Sequence, residues 1–321
     1  MALIQVFIPT YNRPKTALKT VESVCKQSFK DYELIISDNS TDNQTKEIFA
    51  NYSYSNIKYI KREPSLTAID HFNRILFEVT SDFFMIFHDD DIMHDNMLEC
   101  LYNAIIKNEE IISVGSNAFI ARNGNISNKK LFKASRRNLV LTNPIDVAKQ
   151  YIKIGGIVPF SSYIYKNKVA QELKFDSSKG GKYCDAAFIL DISTLGKILF
   201  LAKPLMYFSI HQGQDSFNYS YTHSTALLKY VCKVTGLMKG DKLIKEYRIR
   251  NIYLELKQGI LYGRIILFSR RYLRMVFILF KESLFLYFPR ILVLSFISTF
   301  KISIKKYNIS FNSYYNNKLF Q

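Results

Sequence analysis

Residues 3–14 read LIQVFIPTYNRP, a nearly continuous apolar run from Leu3 to Ile8 that is stopped by Pro9 and followed by a polar loop. A short run of this kind predicts a strand buried on both faces. Downstream, Thr16 to Lys26 places Ala17, Leu18, Val21 and Val24 at helical spacing. Tyr32 to Ile36 is again strand-like and closes in Ser37, Asp38, Asn39, Ser40, Thr41 and Asp42, residue types that form turns and cap helices. A helix through Ile48, a strand at Ile57 to Ile60, a helix from about Ser65 to Glu78 and a strand from Phe83 to Phe87 continue the alternation. The order βαβαβαβ predicts an α/β fold with a Rossmann-like, mostly parallel sheet flanked by helices, in which ligands bind beyond the carboxyl ends of the strands. Thr10 to Arg13, Asp38 and His88 to Asp91 all fall at those ends.

Further along, Asn96 to Lys107 reads as a helix, Ile111 to Ile120 as a strand and Asn123 to Arg137 as a polar, basic loop. Pro144 to Ile154 is helical, with Asn143 as its cap. The segment GGIVPFSSYIY suits a turn beside a cleft, Cys184 to Ser193 a helix, and Ile198 to Ala202 and Leu205 to Ile210 two strands. No repeat or Gly/Ser linker divides this part, so residues 1–220 are expected to form one catalytic-sized domain and residues 221–321 a separate helical region.

The charge is unevenly placed. The chain of 321 residues has 44 Lys+Arg, 27 Asp+Glu and a net charge of +17, yet residues 225–321 hold 18 basic against 4 acidic side chains. An excess of this sign asks for an anionic partner. From Ile260 the tail is rich in Leu, Phe, Ile and Tyr, but Lys281, Glu282, Pro289 and Arg290 interrupt every apolar stretch short of the ~20 residues a spanning helix needs. Apolar faces flanked by Arg270, Arg271, Arg274, Lys281, Arg290, Lys301, Lys305 and Lys306 suit amphipathic helices lying on an anionic membrane surface. The alternative is a helical subdomain packed on the core or on a second copy of the chain, a homo-oligomer contact. Basic residues interleaved with Leu, Phe and Ile at helical spacing, without any nucleic-acid motif, argue against a nucleic acid partner. Cys25, Cys100, Cys184 and Cys232 lie far apart with no CxxC pair, which disfavours a disulfide framework or structural zinc. The start of the chain lacks the pattern of a signal peptide. A cytoplasmic protein, peripheral on the inner face of the cell membrane, is expected.

HDDD at positions 88–91 directly follows the apolar strand FFMIF. Three adjacent carboxylates repel one another, and a tight cluster at a strand end calls for a cation; hard oxygen ligands favour Mg²⁺ or Mn²⁺ over zinc. Taken alone the cluster also fits a phosphohydrolase, a nucleotidyltransferase, or a solvated turn capping the helix that follows.

Together, VFIPTYNRP, SVCKQSFKDYELIISDNSTDN, HFNRIL, FHDDDIM and the downstream Asp185 and His211 resemble the family 2 glycosyltransferases, nucleotide-sugar enzymes of the GT-A fold, over roughly residues 3–215. The resemblance implies that the loop from Pro9 to Arg13 lines a nucleotide pocket, with the backbone of Pro9 and Thr10 and the ring of Tyr11 near base and ribose. It implies that Asp38 accepts a hydrogen bond from a uracil or thymine base, with Asn39 as the neighbouring choice. Asp89 to Asp91 take the DxD-like position, Asp90 as metal ligand, Asp89 towards the ribose and Asp91 assisting, with His88 where an Asp often begins the motif. Arg13 and Arg74 are candidates near the nucleotide or the diphosphate.

In KGGKYCDAAFILDI, Cys184 stands where the family commonly has Glu, which leaves Asp185 as the implied general base, with Gly180 and Gly181 permitting close approach of an acceptor. His211 in FSIHQGQDS is implied to reach the metal or diphosphate. The implied reaction is inverting transfer of a sugar from a nucleotide diphosphate sugar, UDP- or dTDP-linked, to a hydroxyl of a glycan or lipid-linked acceptor in polysaccharide biosynthesis. A catalytically inactive partner subunit is the competing reading, kept open by Cys184.

Overall fold

The computed structural model describes residues 2–50, 56–122, 124–132, 137–154, 159–211, 219–261 and 277. Its first elements are β1 (Ile4–Thr10), α1 (Pro14–Cys25), β2 (Tyr32–Asp38), α2 (Gln44–Ala50), β3 (Ile57–Lys61), α3 (Ala68–Phe77) and β4 (Phe83–Ile86). There follow β5 (Ile92–Met93), α4 (Met97–Ile105), β6 (Ile111–Arg122), β7 (Asn125–Lys130), β8 (Leu139–Leu141), α5 (Pro144–Ile154), β9 (Ile164–Lys166) and α6 (Lys168–Glu172). The last are α7 (Cys184–Leu195), β10 (Lys197–Ile210), α8 (Tyr221–Thr235) and α9 (Lys242–Leu261).

The strands form one mixed sheet whose main path is β3-β2-β1-β4-β9-β6-β10-β5. Its first half, β3-β2-β1-β4, is parallel throughout. Ile4, Val6, Phe7 and Ile8 are completely buried, as the near-continuous apolar run of β1 demands when helices cover both faces. Because the chain leaves β1 for β2 and β3 on one side and returns to β4 on the other, the strand order reverses at β1. A crevice beyond the carboxyl ends of β1 and β4 is where such sheets bind ligands.

Several elements differ from expectation for identifiable reasons. The helix expected from about Ser65 begins at Ala68, because Asn39 holds the preceding residues: its Oδ1 accepts from Leu66 N at 2.7 Å, its Nδ2 donates to Leu66 O at 2.9 Å, and its carbonyl accepts from Ser65 Oγ at 2.8 Å. Thr67 then serves as the cap, accepting from Asp70 N at 3.2 Å. The expected loop after β6 contains β7, paired antiparallel with it. The two strands expected around Ile198 and Leu205 are one strand, β10, whose register against β6 shifts on both sides of Pro204, the residue without an N–H to donate.

The chain divides into two compact units, Met1–Ser177 with Cys184–Gln212, and Ser178–Tyr183 with Gly213–Gln321. In the second, α8 is capped by Ser220 Oγ and stops at Gly236 in the left-handed conformation, and Tyr247 Oη meets Ser224 Oγ at 2.8 Å to tie α9 to α8. The close approach that Gly181 permits is that of the His223 ring: a Cβ there would lie 2.4 Å from it, at a φ of +58°. Among the described residues no helix is long and apolar enough to cross a membrane. The helices expected beyond Ile260 with their basic flanks, Arg270, Arg271, Arg274, Lys281, Arg290, Lys301, Lys305 and Lys306, lie outside the described residues.

Candidate functional site

The carboxyl ends of β1, β2 and β3 present Thr10, Asp38 and Lys61, and register aligns Thr10 with Asp38 and Asp38 with Lys61. Beyond β1 the chain turns through Tyr11, Asn12 and Arg13 into α1, whose first residue is Pro14, a position where the missing N–H costs nothing. Tyr11 is 51% exposed, whereas Pro9 lies inside the β1 ladder and Thr10 is buried.

The acidic cluster follows β4. Thr10 Oγ1 donates to Asp89 Oδ2 at 2.8 Å, and Arg13 Nη1 lies 3.6 Å from Asp89 Oδ1 and 3.4 Å from Asp90 Oδ2. His211, just past β10, places Nε2 2.9 Å from Asp90 Oδ2. Asp91 is fully buried; its Oδ2 accepts from Ser161 Oγ at 2.6 Å and its Oδ1 from Ser209 N at 2.9 Å, so it ties β10 to the cluster. Burial, with repulsion from Asp90, pushes the Asp91 carboxyl well above the usual range; burial likewise raises Asp89, against the Thr10 bond. His88, its ring 5.9 Å from that of Phe160, is shifted the other way by burial.

Among the described residues, three adjacent aspartates gather here beside Arg13 and His211. His88, Asp90 and Asp91 offer ligand atoms within 4.8 Å of one another, a donor set that fits a small divalent cation. Asp90 carries the least committed carboxylate of the three aspartates, and His211 already points at it. Together Thr10, Arg13, Asp89, Asp90, Asp91 and His211, six of the residues expected from sequence, meet in one place.

Asp38 is gathered into a different cluster. Its side chain is completely buried; Oδ1 accepts from Ser40 N at 2.9 Å, and Oδ2 from Tyr59 Oη at 2.5 Å and Lys61 Nζ at 3.1 Å. Burial alone would raise its pKa, but these donors outweigh it and hold the carboxyl below the usual range. Arg74 is turned elsewhere: its Nε donates to Glu78 Oε1 at 2.8 Å and its guanidinium sits 5.5 Å over the Phe77 ring.

Asp185 lies in the first turn of α7, where it accepts from Ala186 N at 2.8 Å, and burial raises its pKa to about 6. Its neighbour Cys184 is buried, with a thiol pushed up to about 12 chiefly by that burial, so it packs as a neutral group and supplies no acid in place of the family's usual Glu.

Sequence reasoning passed over the residues that brace this edge. Thr20 Oγ1 donates to Asp91 O at 2.8 Å, Ser23 Oγ accepts from Met93 N at 3.1 Å, and Gln27 both donates to His94 O at 2.8 Å and accepts from Leu98 N at 2.9 Å. Thr20 and Ser23 lie on the buried face of α1 and Gln27 just past its end, and polar side chains recurring at i, i+3 and i+7 in line with an apolar stripe are the signal that could have found them. Tyr59 and Lys61 were likewise missed, and Asn12 was included only as part of the Pro9 to Arg13 loop.

A model of glycosyl transferase family 2 matches residues 5–171. Among curated proteins, a Campylobacter jejuni GalNAc(5)-diNAcBac-PP-undecaprenol beta-1,3-glucosyltransferase is 30% identical over 134 residues, 40% of this chain and 41% of that protein. The Escherichia coli UDP-Glc:alpha-D-GlcNAc-diphosphoundecaprenol beta-1,3-glucosyltransferase WfgD is 27% identical over 121 residues, 38% of this chain and 48% of that protein. The matches therefore span less than half the length of these relatives. Of solved structures, S. aureus TarS 1–349 in complex with UDP-GlcNAc superposes with a TM-score of 0.62 at 18% identity, covering 85% of this chain and 79% of that one, a likeness of GT-A fold.

Proposed function

From a chain that belongs to glycosyl transferase family 2, we propose an inverting enzyme that moves a sugar from a nucleotide diphosphate sugar, UDP- or dTDP-linked, to a hydroxyl of a glycan or lipid-linked acceptor. The observation that carries this reading is the convergence of Arg13, Asp89, Asp90 and His211 beyond the carboxyl ends of β1 and β4, with Arg13 3.4 Å and His211 2.9 Å from the same oxygen of Asp90. The exposed Tyr11 ring offers a face for the base, and Thr10 orients Asp89.

Asp90, with His88, Asp91 or His211, would hold Mg²⁺ or Mn²⁺, whose charge offsets that of the leaving diphosphate. Arg13 adds a fixed positive charge beside it. Asp185 removes the proton from the acceptor hydroxyl as that oxygen attacks the anomeric carbon and the nucleoside diphosphate departs from the opposite face. A carboxylate raised to about 6 is a stronger base than a solvated one while still ionised at neutral pH. The acceptors in the relatives' names, undecaprenyl diphosphate-linked glycans, support a lipid-linked acceptor here, and the basic C-terminal region supports its capture at an anionic membrane surface. A lipid-linked acceptor fits a role in polysaccharide biosynthesis.

Isothermal titration with UDP, with and without Mn²⁺, tests the site. The native protein should bind far more tightly with the metal, and Asp90→Ala should lose that dependence with at least ~100-fold weaker binding. Equal affinity with and without Mn²⁺ would remove the metal from this reading.

A further inference from the structure

The loop joining β1 to α1 holds a backbone conformation that most side chains avoid. Asn12 has φ of +52°, and among the described residues it is the one non-glycine residue with positive φ. Such a conformation carries a steric cost and persists where surrounding bonds over-determine it. Here the bonds run to the turn after β2. Asn12 N donates to Ser40 Oγ at 2.8 Å, Asn12 Oδ1 accepts from Thr41 N at 3.0 Å, and Asn12 Nδ2 donates to Thr41 Oγ1 at 3.1 Å.

That turn is in turn closed by one ammonium group. Lys61 Nζ donates to Ser40 O at 2.7 Å, to Asp42 O at 2.7 Å and to Asp38 Oδ2 at 3.1 Å, so its three donors converge on three oxygens of one turn. Tyr59 Oη and Ser40 N complete the shell around Asp38. On either side of Asn12 stand Tyr11, half exposed, and Arg13, which reaches Asp89 and Asp90.

We propose that Lys61 and Asn12 are positioning residues of the donor site: Lys61 sets the Asp38–Asp42 turn, the turn holds Asn12 in its left-handed conformation, and Asn12 thereby aims Tyr11 and Arg13. The nature of the ligand rests on the function proposed above, whereas the relay itself belongs to the unliganded protein. Lysine suits the task as a compact cation with three tetrahedral donors; the planar fork of arginine does not match three oxygens converging on one point.

Two measurements on the full chain test it. Amide hydrogen exchange without ligand should show Asn12, Ser40 and Thr41 exchanging at least ~tenfold faster in Lys61→Met while Val6 and Phe7 inside β1 stay protected; unchanged rates at the three turn amides would overturn the relay. Titration with UDP and Mn²⁺ should show Asn12→Ala binding about tenfold more weakly, and Asn12→Gly, which adopts positive φ freely, recovering part of the loss. In transfer assays the donor KM should rise with kcat little changed. Native-like affinity in Asn12→Ala would remove Asn12 from its role. Should Lys61→Met fail to fold, exchange at Ser40 and Thr41 in Lys61→Arg, which keeps the charge but not the three converging donors, decides the same question: faster exchange supports the relay and native rates overturn it. If the native protein binds no UDP, the donor assignment falls while the exchange experiment still judges the relay.

Discussion

Asp38, fully buried at the end of β2, and Asp185, half-buried at the start of α7, are carboxylates whose environments push them in opposite directions. Asp38 receives Ser40 N, Tyr59 Oη and Lys61 Nζ and is held below the usual carboxylate range. Asp185 accepts from Ala186 N and is raised by burial to about 6. A buried acid surrounded by donors fixes the structure around it, while one left short of them stays basic and available for proton transfer. In the acidic cluster burial raises Asp89 and Asp91 even though Thr10 Oγ1 donates to the first and Ser161 Oγ and Ser209 N donate to the second.

Replacing Asp185 should produce the largest effect and test the contrast most severely. In Asp185→Asn we expect transfer to fall by about 10³-fold while UDP affinity stays within about twofold, read by steady-state kinetics and titration. Folding stability should move the other way. With a folded pKa of about 6 against ~3.9 unfolded, ionisation of Asp185 costs nothing below the unfolded value and weakens the fold progressively as pH rises to about 6, by at most about 3 kcal/mol. The Asn variant should therefore show a higher Tm than the native protein at pH 8 and no such gain at pH 4. A carboxylate present only to favour the helix dipole would give the reverse, a lower Tm on replacement. The native rate should also fall about tenfold per pH unit below about 6, as the base becomes protonated.

Asp38→Asn should be second in size and opposite in sign. It leaves Lys61 and Tyr59 facing an amide, and breaking a buried pair of this kind costs about 3 kcal/mol. Because the folded pKa of Asp38 is depressed, its stabilisation is present above the unfolded value of ~3.9 and disappears as pH falls through the folded one. Urea denaturation at pH 7 and pH 3 should find the native protein well ahead of the variant at the first, with a smaller lead at the second. A variant as stable as the native protein at pH 7 would erase the distinction between the two carboxylates.

The difference between them also marks where sequence reading works. The run LIQVFI followed by Pro9, and HDDD directly after FFMIF, are local patterns, and the parallel half of the sheet and the acidic cluster appear where those patterns lead. The shell of Asp38 is not local. Lys61 reaches it because β3 pairs with β2 in the register that sets Asp38 opposite Lys61, and Asn12 meets Thr41 because β1 pairs with β2 so that Thr10 lies opposite Asp38. Registers between strands separated by a helix are set by packing, which a single sequence does not display. His211 could be linked to Asp90 only through family resemblance, since they stand 121 positions apart in the chain. Arg74 shows the converse: a candidate chosen for its motif, which the helix turns towards its own C-terminal end and Glu78.

The smallest effect is expected at Arg74, and it separates residues that serve the site from those that only border it. Glu78 is already gripped by Arg62, whose Nη1 and Nη2 donate to its two oxygens at 2.7 and 2.6 Å from a buried position, while Arg74 adds a third bond from a side chain that is 53% exposed. An exposed ion pair contributes about 0–1 kcal/mol, so Arg74→Ala should shift the urea midpoint only slightly, since Arg62 keeps Glu78 paired. With its guanidinium on Glu78 and the Phe77 ring, Arg74 is not committed to the diphosphate, and UDP affinity in the presence of Mn²⁺ should stay within about twofold of native. A tenfold loss of affinity at unchanged stability would instead mean that Arg74 leaves Glu78 when the donor binds, and the positive charge set against the diphosphate would then be shared between Arg13 and α3.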